Sequence, residues 1–95
     1  MFKAAILALA FVATPALSAS HYHAQPVVGP SATKLVLRDT LWKCSDAGCL
    51  GTRSSSRPAI VCAVLAREVG RLSSFAEEGR VMSAEELEKC NARAK

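Results

Sequence analysis

A small disulfide-stabilised α+β domain, with two helices packed on a short antiparallel sheet, is the architecture that three features of the sequence predict. Two runs carry helix patterns with start signals: Ala59 to Val69 behind Pro58, and Ala84 to about Ala94 behind Ser83. Two other runs, Thr33 to Cys44 and Arg71 to Met82, alternate or turn back as strands do. Four cysteines in a chain of 95 residues supply the cross-links that so small a core needs. The length allows at most one small domain and rules out a large multi-domain enzyme.

The amino-terminal segment stands apart from this domain. Met1, Phe2 and Lys3 make a short positive start, Ala4 to Ala13 is an unbroken apolar stretch, and Pro15 follows. This is the pattern of a secretory signal peptide over residues 1–19. A membrane-spanning helix needs about 20 apolar residues, and Thr14, Pro15 and Ser18 interrupt this stretch well before that. Small residues at Ala16, Ser18 and Ala19 allow cleavage after Ser18 or after Ala19. The expected location is periplasmic or secreted, with no integral membrane segment after processing.

Ser20 to Pro30 contains two prolines, a glycine and no hydrophobic period, so residues 20–30 read as a flexible tail and residues 31–95 as the single folded domain. Within Thr33 to Cys44, Leu35 and Leu37 share one strand parity and Trp42 the other. Two strand pieces separated by an irregularity near Arg38-Asp39-Thr40 would bring all three to one core. Trp42 is expected as a core filler.

After a polar loop, Ser56 is placed as N-cap and Pro58 in the first turn, where its missing N–H costs nothing. The run to Val69 is apolar nearly all round, which places this helix centrally, and Gly70 stands where a helix C-cap glycine belongs. Arg71 to Met82 reads as a short hairpin turning through Glu77-Glu78-Gly79-Arg80, with the glycine supplying the positive φ. Ser83-Ala84-Glu85-Glu86 is a capping box, with Met82 and Leu87 spaced as a hydrophobic staple. Leu87, Cys90 and Ala94 then share one stripe of the second helix, pointing inward.

Cys44, Cys49, Cys62 and Cys90 allow three pairings. The four residues between Cys44 and Cys49 include the turn formers Asp46 and Gly48, so a local ring is favoured, leaving Cys62 for Cys90 and a staple between the two helices. Chain entropy assigns about 2 kcal/mol to a ring of about six residues and about 3.6 kcal/mol to one of about 29. A four-thiolate zinc site is the competing use of the cysteines, but no second close pair supports it and export favours oxidation.

Catalytic residues are not apparent. The histidines are His21 and His23, both in the expected tail, so a nucleophilic triad lacks its base, and neither a paired-carboxylate site nor a glycine-rich phosphate loop stands out. Arg53, Arg57, Arg67, Arg71 and Arg80 form a scattered cationic set that could meet carboxylates or phosphates if folded onto one face. A formal charge of +4 with few aromatic residues points to a protein or anionic polymer of the envelope as partner rather than to nucleic acid. One metal arrangement is available. Processing after Ser18 would expose Ala19-Ser20-His21, whose amine, two amides and imidazole can enclose Cu(II) or Ni(II) in a square plane, with His23 as a further ligand.

Three segments, Leu41-Trp42-Lys43-Cys44 to Cys49, Ser56-Arg57-Pro58-Ala59-Ile60-Val61-Cys62 continuing to Gly70, and Leu87-Glu88-Lys89-Cys90-Asn91-Ala92-Arg93, together resemble a family of small uncharacterised exported proteins of alphaproteobacteria. The resemblance implies an envelope location and supplies no activity, cofactor or catalytic residue. The expectation is therefore a non-enzymatic interaction or structural module, with amino-terminal copper or nickel binding as the alternative.

Overall fold

The computed structural model describes residues 20–94, so the expected signal peptide lies outside the described residues. Six strands and two helices follow in the order β1 (Tyr22–Pro26), β2 (Lys34–Leu37), β3 (Thr40–Ser45), β4 (Gly48–Gly51), α1 (Pro58–Val69), β5 (Leu72–Glu77), β6 (Arg80–Val81) and α2 (Ala84–Asn91). The strands form one sheet in the order β2-β3-β4-β1-β5-β6, every pairing antiparallel. The α+β expectation is met: both helices pack on one face of this sheet, and the core between the layers joins Tyr22, Trp42 and Phe75 to Val61, Leu65 and Ala66.

The tail expected over residues 20–30 is corrected by β1, which lies between β4 and β5 and holds the sheet together. Tyr22, Ala24 and Pro26 alternate inward with His23 and Gln25, a period of two that the prolines and glycine obscured. Pro26 is tolerated because it ends the strand: β4 pairs only with Tyr22 to Ala24, and the register towards β5 shifts between Gln25 and Pro26. Tyr22 and Ala24 are thus core residues, and Tyr22 packs 5.4 Å from Phe75 and 6.1 Å from Trp42 between ring centroids.

The irregularity expected near Arg38-Asp39-Thr40 is a two-residue reversal between β2 and β3, with Arg38 at φ 58°. The reversal makes Leu35 the cross-strand partner of Trp42, which removes the parity conflict. Trp42 in turn faces Gly51, where an added Cβ would lie 2.7 Å from the indole ring, so glycine lets the ring rest on the β4 backbone. Two pairs further along, Cys44 opposes Cys49 with Cα atoms 4.0 Å apart and the two are disulfide-bonded.

Helix α1 begins at Pro58 as expected, but its N-cap is Arg57 and not Ser56, and no side chain caps it. The Ser56 N–H is instead taken by Ser54 Oγ at 3.0 Å, within the loop that precedes the helix. Gly70 closes the helix at φ 95°, the left-handed side of the map that glycine enters without penalty. The hairpin turn between β5 and β6 has both Glu78 and Gly79 at positive φ, the mirror-image turn that suits twisted strands. The capping box of α2 forms in both directions, Glu86 N–H to Ser83 Oγ at 3.2 Å and Ser83 N–H to Glu86 Oε1 at 3.3 Å. Met82 and Leu87 both pack against the core, as a staple requires. The α-helix ends at Asn91, short of the expected Ala94. Asn91 is buried there, its Nδ2 donating to Leu72 O and its Oδ1 accepting from Leu72 N–H. Cys62 and Cys90 form the second disulfide across the two helices.

Candidate functional site

Two helical stripes meet along a trough on the helix side of the molecule. From α1 come Ile60, Ala63, Val64 and Arg67, and from α2 and the turn that follows it come Glu86, Lys89, Cys90 and Arg93, each set spaced i, i+3, i+4, i+7 in the sequence. The trough is open to solvent along its length and has a volume of about 570 Å³. Its apolar floor is the side of α1 that neither the sheet nor α2 covers: Ala63 and Val64 are half-buried and Ile60 is exposed. Burial of α1 is therefore incomplete, because two partners cover Val61, Cys62, Leu65 and Ala66 and leave the third side open.

The rim is cationic. Arg38, from the β2–β3 turn, joins Arg67, Lys89 and Arg93 around this floor, with Glu86 as the carboxylate among the lining residues. Glu86 accepts from Ser83 in the capping box, which commits it to the helix start. Among the described residues the ion pairs within 4 Å are those of His21, so none of the four rim cations has a carboxylate at salt-bridge distance. Arg67 and Lys89 lie in last helical turns, where the dipole favours a positive charge. That explains their position along each helix but not their gathering on one side.

Of the arginines singled out in the sequence, Arg67 alone lines this trough. Arg57 and Arg80 line a neighbouring hollow beside Phe75 and Met82, and Arg53 and Arg71 are exposed elsewhere. Arg38, Lys89 and Arg93 were missed as site residues. The signal for the last two was available: a Cys62–Cys90 bridge sets α2 beside α1, and the positions next to Cys90 on its stripe are Lys89 and Arg93. A smaller cavity of about 10 Å³ between Leu37, Thr40, Trp42 and Val61 has room for one water at most.

His21 and His23 lie on or beside β1 and not in a mobile tail. The His21 ring is held with Nε2 2.8 Å from Glu77 Oε2 and Nδ1 3.4 Å from Glu78 Oε2, and it meets Tyr22 edge-on at 4.7 Å. The His21 N–H donates to Gly51 O at 2.8 Å. A square-planar Cu(II) or Ni(II) chelate would use that same amide nitrogen and that same imidazole, so chelation competes with the first rung between β1 and β4. His23 is exposed on the sheet face away from the helices, opposite Leu50 and Ala76. The four cysteines are all spent in disulfides, which overrides the zinc alternative. Burial pushes the Tyr22 phenol above its ordinary value, with the charges of Glu77 and Asp39 adding to the effect.

The trough thus offers positive charge beside an aliphatic floor, a combination suited to holding an anionic partner. The two disulfides fit an oxidising compartment, and no helix of the described residues is long and apolar enough to cross a membrane. No curated protein and no solved structure matches the chain. A family model does match, over residues 5–92, and the chain belongs to that family, a family of unknown function (DUF8200).

Proposed function

We propose that this chain is an exported, non-enzymatic binding module that takes an anionic partner, an acidic protein segment or an anionic polymer of the envelope, in the trough between α1 and α2. The observation that carries the reading is the set of four cations, Arg38, Arg67, Lys89 and Arg93, gathered around an aliphatic floor with no carboxylate of the described residues within ion-pair distance. Such a set repels itself in the free protein, and an anionic partner relieves the repulsion while the floor supplies apolar contact. The guanidinium groups can grip carboxylates or phosphates with paired hydrogen bonds. Two disulfides and an apolar start to the chain support the export reading.

The test is calorimetric titration of the full chain with polyglutamate and with polyphosphate, at low and at physiological salt. Binding that weakens with salt and falls about tenfold or more in Arg67→Glu with Arg93→Glu is the expected result. Affinity unchanged by the double reversal would remove the trough from the function.

A further inference from the structure

The face of the sheet turned away from the helices carries a second surface, and its chemistry is independent of the trough. Along β2, β3 and β4, the positions that alternate with core-facing Leu35, Trp42, Cys44 and Cys49 are Lys34, Val36, Leu41, Lys43 and Leu50. Three of these are aliphatic and well exposed: Val36 at 71%, Leu41 at 39% and Leu50 at 46%. Lys34 and Lys43 are direct cross-strand partners. Like charges so placed destabilise an antiparallel pair, and a counter-charge from outside the protein would remove that cost. These five positions include no carboxylate. The nearest in the chain, Asp39 and Asp46, sit in the turns at the two ends of β3, and Asp39 is already engaged by Ser54 and Ser55.

The arrangement of the five side chains narrows the partner. In the trough the charges form a rim around an apolar floor. Here lysine and aliphatic side chains are interleaved on one face: Lys43 is two residues from Leu41 on its own strand and opposite Leu50 on the next, while Val36 opposes Leu41. A headgroup boundary asks for that mixture at one depth, because aliphatic tips enter the acyl edge while lysine stems extend their ammonium groups to phosphates. A second copy of the chain would bring four lysines together across the contact, which charge disfavours. We infer that the β2–β3–β4 face is a peripheral docking surface for an anionic bilayer, with Lys34 and Lys43 on lipid phosphates and Val36, Leu41 and Leu50 at the headgroup–acyl boundary. This goes beyond the trough reading and does not rest on it.

The experiment is co-sedimentation of the full chain with vesicles of phosphatidylglycerol and phosphatidylcholine in equal parts, and with vesicles of phosphatidylcholine alone. Binding to the anionic vesicles only, weakening with salt, is expected. Lys34→Gln with Lys43→Gln should lower the partition about 30-fold. Leu41→Ser with Leu50→Ser should lower it several-fold, whereas Arg67→Glu with Arg93→Glu should cost much less than the lysine pair, which separates this surface from the trough. Melting curves of each variant show that it is folded. Equal binding to both kinds of vesicle overturns the proposal, and so does a partition indifferent to the lysine change, which would put the binding elsewhere in the chain. A change in self-association without vesicles on the lysine change would assign the face to a second copy instead.

Discussion

The ribbon β2–β3–β4 and the helix pair α1–α2 each carry one disulfide, yet the two bonds join very different parts of the chain. Cys44 and Cys49 are five residues apart and already cross-strand partners, so the backbone ladder holds their Cα atoms together before any sulfur chemistry occurs. Cys62 and Cys90 are 28 residues apart, on two helices separated by a hairpin, and nothing local brings them together. The comparison shows that a cross-link is worth most where hydrogen bonding within an element cannot do its work. It also separates a ribbon held by near neighbours, whose outer face is free, from a helix layer held by distant ones, which encloses the core.

Breaking each bond in turn tests this difference and gives the largest effects. Cys62→Ala with Cys90→Ala should cost about 2 to 5 kcal/mol, because it releases the longer loop and leaves space in the core. Cys44→Ala with Cys49→Ala should cost about 2 kcal/mol or less, since the strand pairing survives. A domain of this size has a total stability of about 5 kcal/mol or little more, so the first variant should melt far below the second and lie near the limit of folding. Urea denaturation of both variants under non-reducing conditions measures this. Equal losses would mean that the ribbon depends on its bond as much as the helices do.

A smaller effect is expected at the non-covalent tie of α2 to the sheet. Asn91 is buried and answers both backbone groups of Leu72, accepting at 2.8 Å and donating at 2.9 Å. Asn91→Leu keeps the volume nearly constant and leaves the Leu72 N–H and C=O without partners, which should cost about 1 to 3 kcal/mol in urea denaturation. Combined with Cys62→Ala and Cys90→Ala, the loss should exceed the sum of the separate ones if bond and amide share one task, and merely add if they are independent. A loss below about 0.5 kcal/mol for Asn91→Leu alone would assign the attachment of α2 to the bridge alone.

The same contrast explains what could be read from the sequence. Signals that act within a few residues were legible: the Ser83–Glu86 box, the Met82–Leu87 staple, the hairpin turn around Gly79 and, as an irregularity only, the break near Arg38-Asp39-Thr40. The long bridge was also legible, through elimination once Cys44 and Cys49 formed a ring. The strand β1 was not, because its stability comes from partners far along the chain, Phe75 and Gly51 among them, while its own composition signals a loop. Half of the trough was visible as helical stripes, but Arg38 reaches it from a turn some twenty residues earlier in the chain, and no local pattern announces that. Ser56 failed as a cap for a related reason: the loop before α1 is organised from Asp39, outside its own sequence neighbourhood.

That loop provides the smallest and most specific test of the ribbon. Asp39 accepts from Ser54 Oγ at 2.6 Å, Ser55 N–H at 2.8 Å and Ser55 Oγ at 2.9 Å, fastening the β2–β3 turn to the approach of α1. These donors favour the ionised carboxyl, hydrogen bonding from Ser54 first, and draw it from 3.8 down to about 2. A carboxyl depressed in the folded protein binds protons more readily in the unfolded chain. Its contribution is therefore complete above the ordinary value and is lost as pH falls from about 4 towards 2. The site is exposed, so the effect should be modest and reduced by salt. Asp39→Asn keeps the shape and removes the charge. Its stability deficit against the unaltered protein should be widest near pH 7, should narrow below pH 4, and should be least near pH 2, as followed by urea denaturation across that range. A deficit that stays constant with pH would show that the turn is held by shape and not by the ionised carboxyl, and the ribbon would then depend on its ladder and its short disulfide alone.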